Sequence, residues 1–439
     1  MAIYIFLLIG VVVAGIPLCS KKCGRTGKII YCCAAAVVFI VVAAMRYDVG
    51  YDYNLYGYTY FNMKYLYPED LTAEKMEKGF LLPLYVLNLA FESYTTVFIY
   101  VSILIYPAVL YFIYKNSANP WISVAAYLCM GLFFNSLCFM RQVIASLIVL
   151  YAIEYIDKKP HIRFFVLIFA ASVFHWSALV MLVMYFLLKI QPGYIYLGII
   201  SAGTIIFCIF SRSFMLWAIE HFTMYQIYDP DTMPQAATGL SPKYTIMFGI
   251  LFIICFVFRK RLIEKNPRNS IYINCMMYTV AFEAIGMRHA VLSRFDILLF
   301  LPPVLYTVPD LVQVIKEYIS EKLMQKGEGR IQIVNISSLV CLALYFAGTY
   351  AILILDDYNG VVPYVSHLNN PNPFVERVIT EEDHDDEEIY SDDWEEDEDW
   401  YWDEDWDEDW DEDEDWDEDE LMDEDTLEQL LLEQLQRAS

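Results

Sequence analysis

The sequence predicts an all-α, polytopic membrane bundle of about twelve spans, some short or re-entrant, followed by a disordered acidic tail. Three observations predict it. Apolar residues make up 58% of the 439-residue chain, more than soluble domains usually carry. Apolar runs of spanning length recur from Ala2 almost to Leu355. Acidic residues gather at one end: Glu376 to Ser439 holds 35 acidic and 2 basic residues, against 21 and 27 in the rest. The net charge of −27 therefore hides a mildly basic body. Two regions follow, a transmembrane domain over 1–364 and a low-complexity tail over 365–439.

Positive charge orients the spans, because loops rich in Lys and Arg stay in the cytoplasm. The first run, Ala2 to Leu18, has no basic leader and reads as a span rather than a signal peptide. The loop Ser20 to Lys28 carries four cations and no anion, which places it inside. The second span, Ile29 to Met45, then runs outward and delivers Arg46 through Lys78 to the outer face. Phe80 to Phe91 is short and contains Pro83, so it reads as re-entrant or interfacial. Thr95 to Tyr114 returns inward. Trp121 to about Phe134 goes out, Asn135 to Arg141 turns, and Gln142 to Ile156 comes back to a basic loop, Asp157 to Arg163.

The run from Phe164 to Leu188 can be one tilted helix or two short ones. Splitting it near Ser172 to Ser177 keeps the cluster Arg259, Lys260, Arg261, Lys265 and Arg268 inside and puts His175 at an outer turn. Tyr194 to Phe210 goes out, Ser211 to Lys243 is a loop, and Tyr244 to Phe258 returns. Ser270 to Gly286 goes out, Met287 to Arg294 turns, and Phe295 to Val308 comes in with kinks at Pro302 and Pro303. Asp310 to Arg330 is a cytoplasmic, partly amphipathic segment, and Ile331 to Leu355 exits. The tail repeats Trp-Asp-Glu-Asp units around Trp402, Trp406, Trp410 and Trp416. Its charge density cannot bury a core.

The ten cysteines mostly lie in or at the ends of apolar runs, where Cys packs as a small residue. They show no zinc spacing. No cofactor is expected, apart from a divalent cation that Asp48 and Asp52 could hold.

This topology brings Arg46, Asp48, Asp52, Arg141, His175, Arg288 and Arg294 to one level on the outer side. Ionisable groups at membrane depth are costly and tend to line a cavity or pair with each other. Arg46, Arg141, Arg288 and Arg294 suit a diphosphate, because guanidinium binds phosphate oxygens bidentately and keeps its charge. Each could instead anchor its helix at the headgroups. His175, in Val173-Phe174-His175-Trp176-Ser177, suits general-base work near neutral pH, or is a histidine bonded inside the bundle. Asp48 and Asp52, at i and i+4, could bind a cation, act as base, or clamp Arg46. Tyr51, Tyr53 and Tyr56 could stack on sugar rings, against an interfacial aromatic belt as the plainer reading.

At these residues the chain resembles the EpsG family of exopolysaccharide polymerases, relatives of Wzy-type repeat-unit polymerases. The similar elements are Arg46-x-Asp48-x-Gly50-x-Asp52-Tyr53-x-x-Tyr56, Glu77-Lys78-Gly79-Phe80, Arg141-Gln142 with Ala145, and Phe174-His175-Trp176-Ser177-Ala178. Arg294-Phe295 and Pro363-Tyr364 complete the ordered set, which covers roughly Met1 to Tyr364. The acidic tail lies outside the pattern. The resemblance implies a multi-pass plasma-membrane glycosyltransferase with its site and tail extracytoplasmic. It would transfer a glycan from one polyprenyl diphosphate to the next lipid-linked repeat unit, building exopolysaccharide or capsule. Arg141 and Arg294 would stabilise the leaving diphosphate, supported by Arg46 and Arg288. His175 would be the base, with Asp48 or Asp52 next in line. The implied partners are polyprenyl-diphosphate-linked oligosaccharide, membrane lipid, and other polysaccharide export and chain-length proteins, with no nucleic acid. The rival from another class is a lipid-linked oligosaccharide flippase, which would favour charges at the bilayer midplane and internal repeats.

Overall fold

A computed structural model describes residues 1–65, 76–221, 241–324 and 331–369. The chain divides into two units, Met1–Thr380 and Glu381–Ser439. The second unit, the expected tail helix at Thr426 to Gln436 and most of the Ser211 to Lys243 loop lie outside the described residues. The described part of the first unit is helical. Its one β-type pairing among the described residues is an isolated bridge between Arg46 and Ser366.

Among the described residues, four stretches are long and apolar enough to cross a bilayer: Gly24–Ala44, Thr95–Asn116, Tyr194–Trp217 and Leu292–Glu321. A fifth arises if the bent pair Pro120–Cys129 and Leu132–Cys138 counts as one span. Among the described residues, length and composition support four or five of the twelve expected spans. The other apolar helices are shorter, such as Ala2–Leu18, Ile162–Ser172 and Pro242–Val257.

The first helices set the frame. Helix α1 (Ala2–Leu18) leads into α2 (Gly24–Ala44). Gly27 makes that junction close, since a Cβ there would lie 2.1 Å from the Leu18 carbonyl oxygen. After a loop comes α3 (Tyr53–Asn62), and then α4 (Lys78–Asn88). At 11 residues, α4 is about 16 Å long, roughly half a hydrocarbon core, so it is too short to cross alone. Asn88 donates to the Tyr60 carbonyl at 2.9 Å and the Tyr60 hydroxyl to the Phe91 carbonyl at 2.6 Å. These bonds pin α4 to α3. Helix α5 (Thr95–Asn116) packs antiparallel along α2.

Helices α6 (Pro120–Cys129) and α7 (Leu132–Cys138) meet at a 58° bend. Gly131 makes it, with φ of +75°, a value that favours glycine. The segment Asn135 to Arg141, expected as a surface turn, is instead mostly the buried α7 and the start of α8 (Met140–Ala152). Asn135 and Ser136 are buried there and satisfied by Asn359 and Tyr106 at 2.8 Å each, which removes the reason to face water.

The run after Arg163 divides where expected, into α9 (Ile162–Ser172) and α10 (Val180–Leu187), with His175 between them. Then follow α11 (Tyr194–His221), α12 (Pro242–Val257), α13 (Arg259–Lys265) and α14 (Asn269–Gly286). Helix α15 (Asp296–Met324) corrects a second expectation. It continues through Pro302, Pro303 and Pro309 rather than ending at Val308. A proline removes the hydrogen bond to the carbonyl four residues earlier. For Pro309 that carbonyl is Leu305, and the Ser123 hydroxyl of α6 donates to it at 2.6 Å. A neighbour thus supplies the lost donor.

After α16 (Ile331–Leu355) the chain folds back as a strap. Gly50 donates to the Gly360 carbonyl at 2.7 Å, Tyr47 to Val365 at 2.9 Å, and His367 to Met45 at 3.1 Å. Tyr364 donates its hydroxyl to the Val42 carbonyl at 2.9 Å. The segment after α16 therefore fixes the loop that follows α2.

Gly27→Ala should lower stability by roughly 1–3 kcal/mol, as overpacking against backbone does. A lower melting temperature in detergent is the readout, and an unchanged one would show that α1 and α2 are not held this closely.

Candidate active site

The loop after α2 is built around Arg46, which is 1% exposed. Its guanidinium donates to the carbonyls of Ala43 at 2.5 Å and Leu137 at 3.0 Å, and lies 4.5 Å from the Phe98 ring centre. A buried charge needs such partners. Gly50, at φ of +97°, passes over the Leu137 carbonyl, where a Cβ would lie 3.1 Å away. Arg46 and Gly50 thus seat the loop on the C-terminal end of α7.

Above this base, three distant segments meet at one carboxylate. Glu77, at the start of α4, is 8% exposed. One of its oxygens pairs with Nη1 of Arg141, at the N-terminus of α8. The other accepts from Nδ1 of His175 at 2.7 Å. Gly79 makes the approach possible: its amide donates to the Val173 carbonyl at 3.1 Å. A Cβ there would lie 2.6 Å from that oxygen. Phe80 packs edge-on to Tyr56, with ring centres 5.3 Å apart, and Arg141 Nε donates to the Tyr56 hydroxyl at 3.4 Å.

Burial works against the Glu77 charge, but the His175 hydrogen bond and the Arg141 charge outweigh it, lowering its pKa from 4.5 to about 2. The carboxylate is therefore ionised and can only accept. Nδ1 of His175 must carry the hydrogen, which leaves Nε2 as the proton-accepting nitrogen of the neutral ring.

Arg294 approaches the same helix start. Its guanidinium lies 5.4 Å from the Phe139 ring centre, and its carbonyl accepts from Gln142. Asp52 feels the fields of both Arg294 and Arg141, which partly offset the upward push of burial on its carboxyl. Asp52, Tyr56, Arg141, His175 and Arg294 are thus gathered around the N-terminus of α8. Helix start and cations together favour an anion.

The other expected site residues are elsewhere. Arg46 lies below the loop, bonded to carbonyls rather than lining a cleft. Asp48 is exposed and accepts from Asn54 at 3.1 Å, so it neither clamps Arg46 nor joins Asp52. Arg288 is exposed and has His289, Cys208 and α11 as electrostatic neighbours. Tyr51 is 73% exposed and lies against Gly360. Tyr53 is fully buried, stacked on Phe98 at 4.4 Å; Tyr56 does stay beside Arg141, but at 2% exposed it offers no face to a sugar. Among the described residues no group of three or more metal-ligand side chains occurs.

Sequence reasoning missed the centre itself. Glu77 stood only in a motif, with no role assigned. The signal was an acid immediately before an apolar run too short to span. A second missed feature is the buried pair Glu283 and Asp296, on α14 and the start of α15. Each carboxyl lies in the field of the other, and two carboxylates this close disfavour each other's charge.

Glu77→Gln keeps the shape and removes the charge. Activity should fall roughly 10²–10³-fold, as for loss of one preorganised electrostatic group. Because the folded pKa is depressed, the ionised carboxylate stabilises the fold fully above about 4.5. That contribution is lost as pH falls toward 2. The variant's melting temperature should therefore lack part of the wild-type decline over this window, and parallel profiles would contradict the assignment.

The family model described as EpsG family matches residues 29–366, well over half of the chain. No curated protein and no solved structure matches. The match takes in the Arg46 loop, Glu77, Arg141, His175, Arg294 and the C-terminal strap, so the chain belongs to the EpsG family, a family of membrane polysaccharide polymerases.

Proposed function

We propose that the protein transfers a growing glycan from one polyprenyl diphosphate to a hydroxyl of the next lipid-linked repeat unit, on the outer face of the membrane. The acceptor oxygen attacks the anomeric carbon, the bond from that carbon to the diphosphate oxygen breaks, and polyprenyl diphosphate leaves. The hydroxyl proton passes to Nε2 of His175. Arg141 and Arg294 meet the charge that grows on the diphosphate, where fixed cations stabilise the transition state most. Arg46 serves by holding the loop. Asp52 is the second candidate for the base, and Tyr56 orients Arg141.

The observation that carries this reading is the Glu77 carboxylate bridging Arg141 and His175, with 2.7 Å to the imidazole. One anion there fixes a phosphate-binding cation and orients a base, which is what in-line displacement of a diphosphate needs. The outer-face placement rests on charge. The loop before α2 and the helix's opening turns carry Lys21, Lys22, Arg25 and Lys28, and such basic flanks remain in the cytoplasm.

Two variants test the roles in membranes supplied with lipid-linked repeat units. Arg141→Lys keeps the charge and loses the planar fork, and polymer formation should drop roughly 10²-fold or more. A wild-type rate would remove Arg141 from diphosphate binding. His175→Ala should cost roughly 10²–10⁴-fold and alter the pH profile near neutrality. An unchanged profile would move the base to Asp52.

A further inference from the structure

At the end of the bundle away from Arg141, two cavities share a wall. The three helices that frame them run from one end to the other. Arg46 directly follows α2, whereas Arg25 and Lys28 lie in its opening turns; its 21 residues span about 30 Å. Phe98 beneath Arg46 is near the start of α5, and Lys115 near its end. Asp296 opens α15, and Gln313 and Lys316 come several turns later.

The first cavity, about 790 Å³, is lined by Lys21, Arg25, Lys28 and Lys115, and no acidic side chain lines it among the described residues. Tyr114 accepts from Arg25 Nε at 2.8 Å, holding the guanidinium at the mouth. The second, about 450 Å³, is an apolar cleft between α1, α6, α15 and α16, with Lys316 as its one charged lining residue among those described. Asn119 borders the first cavity and Trp121, two residues on, borders the second. Gln313 and Val312 divide between them in the same way along α15.

We infer that this pair of cavities binds an anionic phospholipid, its phosphate among Arg25, Lys28 and Lys115 and an acyl chain in the cleft lined by Trp121 and Phe346. Charge complementarity selects the headgroup, since basic pockets between membrane helices attract anionic lipids. The apolar continuation selects a lipid over a soluble anion. The site is about a membrane core away from Arg141, so a substrate whose diphosphate is held at Arg141 cannot fill the basic pocket.

The test uses the full chain in nanodiscs of phosphatidylcholine with one-fifth phosphatidylglycerol, with bound lipid read by native mass spectrometry. Phosphatidylglycerol should be retained over phosphatidylcholine. The triple variant Arg25→Gln, Lys28→Gln, Lys115→Gln should lose roughly a hundred-fold in that preference, at about five-fold per cation. The charge-keeping triple Arg25→Lys, Lys28→Arg, Lys115→Arg should retain it, which separates lost charge from misfolding. Ala347→Phe, on the exposed wall of the cleft, should weaken two-chain phosphatidylglycerol and spare its dihexanoyl form. Equal retention of both lipids, an unchanged glutamine triple, loss in the charge-keeping triple, or displacement by inorganic phosphate as readily as by lipid would overturn the inference.

Discussion

A buried carboxylate that holds an arginine and a histidine from distant parts of the chain is the constraint on which this site depends. Glu77 is nearly inaccessible, so its charge survives only because His175 and Arg141 both reach it. Removing either leaves an under-compensated charge in a low-dielectric setting, which is far costlier than losing a surface ion pair. The surrounding devices serve this closure. Gly79 lets the α4 start touch the Val173 carbonyl, the α9–α10 break carries His175, and Tyr56 and Phe80 wall in the Arg141 side chain.

A second layer of support lies beneath. Arg46 spends its charge on backbone carbonyls at the ends of α2 and α7. The strap after α16 closes over the same loop through backbone bonds. Asp52 and Tyr56 follow directly from that loop, so their placement near α8 is set by a network that has no contact with the proposed chemistry.

Part of this was legible in the sequence. Arg141, His175 and Arg294 were singled out because a charge beside an apolar run is costly, and the structure gathers them around the start of α8. The same logic misled for Arg46: sequence cannot distinguish a guanidinium satisfied by carbonyls from one that lines a cleft. It misled for Asp48 and Arg288 as well, since belonging to the same surface loops does not make residues neighbours. Glu77 went unassigned because its function exists only after α4, α8 and the His175 turn have met. Hydropathy located most helices but not their continuity. Pro309 reads as a stop until Ser123, 186 residues earlier, is seen to supply the donor that the proline removes. Gly131 hides a bend inside what reads as a single span.

The central claim is that an anion site at the start of α8, flanked by Arg141 and Arg294, receives the diphosphate of the lipid-linked donor. An experimental structure with bound polyprenyl-diphosphate-linked oligosaccharide tests it most directly. The account predicts diphosphate oxygens within hydrogen-bond distance of Arg141 and Arg294, and the first sugar beside His175 Nε2. Diphosphate found instead among Lys21, Arg25, Lys28 and Lys115, a helix length away, would contradict it.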